Sequence, residues 1–120
     1  MKKPKFRIFK GKSGQFYFRL RAGNGTPILA SEGYRTKSGA KKAVAAVIRN
    51  SGNDARYNRK VSKQGQFYFQ LQARNNKVIG KSEVYKSRRA RDHGISVAKR
   101  IALYAKVEEE DDGDTITLST

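Results

Sequence analysis

The sequence predicts an α+β fold: a tandem duplication of a β-β-β-α-β unit, forming a single antiparallel sheet with two helices on one face. Three observations predict it. Residues 14–22 (GQFYFRLRA) return 51 residues later as residues 65–73 (GQFYFQLQA), altered only where Arg19 and Arg21 become Gln70 and Gln72. Both copies alternate as a half-buried strand must, with Phe16, Phe18, Leu20 and Ala22 on one side and Gln15, Tyr17, Arg19 and Arg21 on the other. Each copy is followed by an apolar stripe at helical spacing.

Residues 6–10 read as a first strand, and Gly11-Lys12-Ser13-Gly14 as the turn into the signature strand. Gly23-Asn24-Gly25 offers the positive φ of a tight hairpin, leading to a third strand over 28–32. Pro27 has no N–H to give, so that strand's start belongs at an edge or outside the ladder. Thr36 or Ser38 caps a helix whose inward stripe is Ala40, Ala43, Val44, Val47 and Ile48, and Asn50-Ser51-Gly52-Asn53 stops it. Residues 54–61 end the first unit and begin the second, with Tyr57 in the place of Phe6 and with Arg59 and Lys60 in the places of Ile8 and Phe9. The plan then repeats: turn 62–65, hairpin at Arg74-Asn75-Asn76, and a third strand around Val78 and Ile79. A helix capped by Ser87 follows, with Ala90, Gly94, Val97, Ala98, Ile101, Ala102 and Ala105 facing inward and Ile95 flanking them. Residues 106–109 form a last strand.

A chain of 120 residues is one domain by length, and each half alone would bury too little surface to be stable, so the halves share a core. The predicted divisions are a first repeat over 1–54, a shared strand segment over 55–61, a second repeat over 62–107 and a flexible acidic tail over 108–120, with a strand-like run at Thr115-Ile116-Thr117-Leu118. Cysteine is absent and His93 is the only histidine, which excludes disulfides and cysteine- or multi-histidine metal sites. The basic start at Met1-Lys2-Lys3-Pro4-Lys5 has no apolar stretch behind it and does not read as a signal peptide; with no run long enough to span a bilayer, the expectation is a cytoplasmic protein without a membrane contact.

Ser31-Glu32-Gly33-Tyr34, Asp54-Ala55-Arg56-Tyr57, Gly65-Gln66-Phe67-Tyr68-Phe69, Ser82-Glu83-Val84-Tyr85 and Ala90-Arg91-Asp92-His93-Gly94-Ile95 resemble the YegP-like family of small tandem-repeat proteins. The resemblance covers residues 5–109. It implies two β(3)-α-β units in a single sheet, with C-terminal strands exchanged between the units. It implies no site residues, because the family is functionally uncharacterised. The chain departs from the family pattern in its excess of cations, its acidic end and its polar strand at 58–60.

Charge is the remaining signal. Lysine and arginine number 27 against 10 aspartate and glutamate, a net +17. Only four acids precede Glu108, so the body carries +23 and Glu108, Glu109, Glu110, Asp111, Asp112 and Asp114 follow it. Such a body needs anions nearby. Two constellations fit a polyanion. On the open face of the sheet, Tyr17 and Tyr68 stand among Arg19, Arg21 and glutamines, a setting for base stacking; the competing reading is cross-strand pairing for stability. At the helix starts, Arg35, Lys37, Lys41 and Lys42 in one unit and Lys86, Arg88, Arg89 and Arg91 in the other oppose the helix dipole, a cost that a bound phosphate would reverse.

Other motifs carry less. Glu32 and Glu83 hold equivalent positions and are expected to pair with nearby cations or accept N–H groups rather than serve as catalytic acids. His93 beside Asp92 builds no triad, since adjacent helical residues diverge. The Gly11-Lys12-Ser13 string lacks the rest of a phosphate loop. The expected function is therefore non-enzymatic, cofactor-free and largely sequence-nonspecific binding of DNA or RNA; the alternative is an adaptor for an acidic protein. The acidic end is expected to compete with the polyanion for the chain's own cations. The chain is expected as a monomer or a strand-exchanged dimer.

Overall fold

The computed structural model describes residues 2–110. Strands β1 (Lys5–Lys10), β2 (Phe16–Arg21) and β3 (Pro27–Ala30) precede helix α1 (Lys37–Asn50). A 3-10 turn at Asp54–Arg56 leads into β4 (Tyr57–Val61), β5 (Phe67–Gln72) and β6 (Val78–Lys81), then helix α2 (Arg88–Ile101) and β7 (Lys106–Glu109). The strands form one sheet in the order β4-β5-β6-β3-β2-β1-β7.

That sheet is mixed rather than purely antiparallel, because β7 runs parallel to β1. The chain reaches β1 through α2 rather than through a hairpin, and only a hairpin enforces antiparallel pairing. β4 pairs with β5 as β1 pairs with β2: Tyr57 opposite Leu71 repeats Phe6 opposite Leu20. The two halves meet at β3 and β6, whose one register pair is Ala30 with Lys81. An approximate two-fold axis passes through this joint.

Both helices lie on one face, over Phe6, Ile8, Phe18, Leu20, Phe69 and Leu71, all fully buried. Truncating one of these phenylalanines costs about 3–5 kcal/mol in cores of this kind. Thr36, not Ser38, caps α1 by accepting from the Gly39 amide, and Ser87 caps α2 by accepting from Ala90. The third strand ends at Ala30 rather than at 32, because the Ser31 hydroxyl replaces a backbone partner and accepts from the Phe18 amide at 2.9 Å. Ser82 does the same for Phe69. The left-handed hairpin position is Gly25 in one unit and Asn76 in the other, the residue types that tolerate φ of 88° and 68°.

The joint is held by an unequal pair. Leu29 and Gly80 hold equivalent positions, and a Cβ added at Gly80 would sit 2.6 Å from the Leu29 side chain. One side of the axis can carry a leucine only because the other carries none.

Two sequence expectations need correction here. Glu108 and Glu109 belong to β7, in register with Arg7 and Ile8, so they are strand rather than flexible tail. On α2 the inward stripe includes Arg91 and Ile95, both buried, whereas Ala90 is only half-buried. The acids after Glu110 and the strand-like run at 115–118 lie outside the described residues.

Candidate nucleic-acid interface

Strand alternation sends every second side chain away from the helices. On β1 these are Lys5, Arg7 and Phe9, and on β2 Tyr17, Arg19 and Arg21. The register then sets Lys5 opposite Arg21, Arg7 opposite Arg19 and Phe9 opposite Tyr17. Like charges directly opposite each other destabilise a sheet, by up to about 1 kcal/mol per pair. This face therefore carries two cation pairs that the fold does not need. Lys106 on β7, beside Lys5, extends the row.

The aromatic pair sits at the end of the same face. The Phe9 and Tyr17 rings stack with centroids 5.7 Å apart, and the Arg19 guanidinium lies 5.0 Å from the Phe9 ring. Next to the rows is a cleft of about 780 Å³, walled by Lys2, Lys3, Lys5, Arg7, Arg21 and Lys106. The protein's own carboxylates enter it: Glu108 reaches Lys5 at 3.5 Å and Glu110 reaches Arg7 at 2.8 Å. Both pairs are exposed and worth little to stability.

The equivalent face of the second half has no cations facing each other across its first strand pair. Asn58 lies opposite Gln70, and Lys60 opposite Tyr68, with the Lys81 ammonium 5.0 Å from the Tyr68 ring. Tyr17 and Tyr68 thus share the open face with Arg19 and Arg21, as expected, but the cations concentrate in one half.

The helix starts do not join this surface. Lys37 and Lys41 meet Glu109 of β7, at 3.8 and 3.0 Å, on the helix side of the sheet. Those two ammonium groups hold the Glu109 carboxyl below the ordinary glutamate value, Lys41 through the stronger contact. Arg35 and Lys42 are exposed beside them. The start of α2 lies at the other edge, where Asp92 pairs with Arg59 of β4. The two starts lie at opposite edges of the seven-stranded sheet, six strand spacings or about 29 Å apart. Lys86, Arg88 and Arg89 are exposed there, and Arg88 lies 5.5 Å from the Phe67 ring.

Arg91 is a correction. It stands where α1 has Ala40, on the inward stripe, and is only 6% exposed. Its guanidinium lies 5.6 Å from the Phe67 ring centre and donates to the Lys60 carbonyl and to Asp92. A long apolar stem with a satisfied head is how an arginine enters a core. It is not free for a phosphate.

The twin glutamates are the second correction. Among the described residues neither carboxylate has a cation within 4.0 Å or a hydrogen bond of its own. Only their backbone carbonyls are engaged, accepting from Ser31 and Ser82 at 2.8 and 2.7 Å. They add a little to the upward shift of the Tyr34 and Tyr85 hydroxyls, which is caused first by burial. His93 is exposed, and no group of three or more metal-ligating side chains occurs among the described residues. No helix among them is long and apolar enough to cross a membrane.

Sequence reasoning missed Lys5, Arg7, Phe9 and Lys106 as members of the site. The alternation of residues 5–9 was a usable signal, since it places Lys5 and Arg7 opposite to buried Phe6 and Ile8. Their meeting with Arg19 and Arg21 depends on register, which no local pattern states.

Fold and face together define a duplicated sheet-and-helix protein whose open surface is more densely cationic in the first half than in the second. The chain belongs to the family described as a domain of unknown function, DUF1508, which matches residues 12–58 and again 62–109. Among its relatives, a UPF0339 protein from Stutzerimonas stutzeri, named for its place in the 5' region of the ptx operon, is 49% identical over 104 residues, covering 87% of this chain and 94% of the relative. UPF0339 protein YegP of Escherichia coli K12 is 43% identical over 94 residues, covering 78% and 86%. The solution NMR structure of E. coli YegP, a protein of unknown function, superposes with a TM-score of 0.85 at 37% identity, covering 92% of this chain and 95% of that one. That of UPF0339 protein SO3888 from Shewanella oneidensis gives 0.83 at 39% identity, covering 88% and 90%.

Proposed function

We propose that this protein is a non-enzymatic nucleic-acid-binding module whose contact surface is the open sheet face of the first half. One observation carries the reading. Lys5 faces Arg21 and Arg7 faces Arg19 across β1 and β2, a like-charge arrangement that costs stability and is relieved by a polyanion. The cleft beside it is walled by six cations, and Tyr17, farther along the same face, offers a ring for an unpaired base, at about 1–3 kcal/mol per stacked base. Glu108 and Glu110 hold the cleft cations in the meantime, so binding exchanges internal ion pairs for phosphate contacts.

The test is a salt titration of binding to single- and double-stranded DNA and RNA. Six phosphate contacts drawn from the cleft cations and neighbouring Arg19 give a log–log slope of about −5 on duplex DNA and about −4 on single strands. Arg19→Gln with Arg21→Gln, which gives the first half the residues of the second, flattens the slope by about 2 on duplex DNA. Glu108→Gln with Glu110→Gln tightens binding while keeping β7 in place. Affinity that is absent at moderate salt, or indifferent to it, removes the proposal. A stoichiometric acidic protein that survives nuclease treatment in a pull-down points instead to an adaptor.

A further inference from the structure

We propose that the groove between the two halves reads guanine in single-stranded nucleic acid, with Glu32 and Glu83 each accepting from the Watson–Crick edge of an unstacked base. This rests on the nucleic-acid reading above and adds a base preference to it.

The groove encloses about 660 Å³ over the β3–β6 joint. Its floor is apolar, with Pro27, Ala30 and Val78 among its residues, and Glu32 and Glu83 stand in its walls. The strands pair antiparallel at Ala30 and Lys81, and each glutamate lies two residues past that pair, just beyond the end of its own strand. The two carboxylates therefore occupy opposite ends. Arg21 lines both this groove and the cationic cleft, so a strand held in the cleft passes directly to it.

Three cations line the groove, and the head of each has a partner other than the glutamates. Arg19 lies against Phe9, Lys81 against Tyr68, and Arg21 donates to the Gly25 carbonyl. Among the described residues the glutamates are thus left unpaired on a strongly cationic protein. Their neighbours explain themselves structurally: Ser31 and Ser82 accept from strand amides, and Tyr34 and Tyr85 bridge to Phe16 and Phe67 through paired backbone bonds. The glutamate side chain is the one member of each Ser-Glu-x-Tyr segment, apart from the variable third residue, that the fold does not use. Its backbone is clamped on both sides, which holds it ready.

On a phosphate-binding face a bare carboxylate costs affinity, so its use lies with a donor. Guanine alone among the bases presents two adjacent donors, N1–H and N2–H, on its Watson–Crick edge, and a carboxylate accepts both in parallel. Adenine and cytosine offer one amino group beside a ring acceptor, and thymine offers one N–H between two carbonyls.

The experiment is fluorescence anisotropy of the full chain with short oligothymidylate, with the same oligomer carrying isolated dG, and with deoxyinosine in place of dG. The expected result is binding about tenfold tighter to the dG oligomer than to oligothymidylate, most of it lost with inosine, which lacks the N2 amino group. In Glu32→Gln with Glu83→Gln the preference collapses, while affinity for oligothymidylate rises because two negative charges leave the face. Equal affinity for all three oligomers, or a preference that survives in the double variant, overturns the inference. The inosine arm needs no altered protein. Failure of every oligomer to bind overturns the functional reading itself, a distinguishable result.

Discussion

The two halves share one backbone plan and spend their charge in opposite places. In the first half the inward positions are apolar, Phe6, Ile8 and Ala40, and the open face holds Arg7, Arg19 and Arg21. In the second half the open face holds Asn58, Gln70 and Gln72, and the charge has moved to the helix side as Arg59, Arg91 and Asp92. Arg59, in the place of fully buried Ile8, is anchored by Asp54 at 3.1 Å and Asp92 at 3.3 Å. The hydrogen bond to Asp54 is the main reason its guanidinium is held still more firmly protonated than usual. The edges differ as well: β1 is covered by β7, whereas β4 ends the sheet and guards its open side with charged residues. Duplication thus supplied two copies of a scaffold, of which one keeps unneeded cations on its outer face and the other uses its cations to finish the fold.

The largest test of this contrast is at the joint. Leu29→Gly opens a cavity and costs about 3–5 kcal/mol, and Gly80→Leu overpacks the same space at about 1–3 kcal/mol or more. The reciprocal double variant, measured by urea unfolding, should recover most of the summed loss, because it moves the leucine to the other side of the axis. Costs that simply add would show that the positions are not interchangeable, and the symmetry argument would fail.

A middling effect is expected from Arg91→Ala, which copies the first half's Ala40. Loss of the guanidinium contact with Phe67, of the buried stem and of the bond to the Lys60 carbonyl should cost about 1–3 kcal/mol. The salt slope of nucleic-acid binding should not move. A slope flattened by about 1 would make Arg91 a phosphate contact and erase its distinction from Arg19.

The smallest effect is electrostatic. Glu109 has its carboxyl value lowered by Lys41 and Lys37. A carboxyl lowered in the folded state stabilises fully above its ordinary unfolded value and loses that contribution as pH falls through the lowered one. Amide-exchange protection along β7, taken relative to the intrinsic rate at each pH, should therefore fall in acid, and Glu109→Gln should show the lower protection at neutral pH as well. Asp54, lowered chiefly by its hydrogen bond to Lys99, gives the second half a matching acid sensitivity that Glu109→Gln leaves intact. Loss of both together would mean that the edges respond as one unit.

Much of the scaffold was legible in the chain. Alternation over 14–22 and 65–73 placed Phe18, Leu20, Phe69 and Leu71 inward, Ser87 announced the second cap, and the first was narrowed to Thr36 or Ser38. Less of the site was. Arg91 read as a surface cation because helical periodicity judges a residue by type, and only the presence of Phe67 and the Lys60 carbonyl makes room for its stem. Glu108 read as tail because a run of acids looks solvated until Lys5, Lys37 and Arg7 are brought beside it.

By itself, then, the sequence determined the duplication, the strand and helix periods, the caps and the sign of the charge, all of which are properties of neighbours along the chain. Only the tertiary structure decided that β7 lies parallel to β1, that Lys5 and Arg7 face Arg21 and Arg19, and that Glu32 and Glu83 stand unpaired across one groove. Register and strand order join residues far apart in the chain, and the energy that selects among such pairings is burial summed over the whole core rather than any local preference.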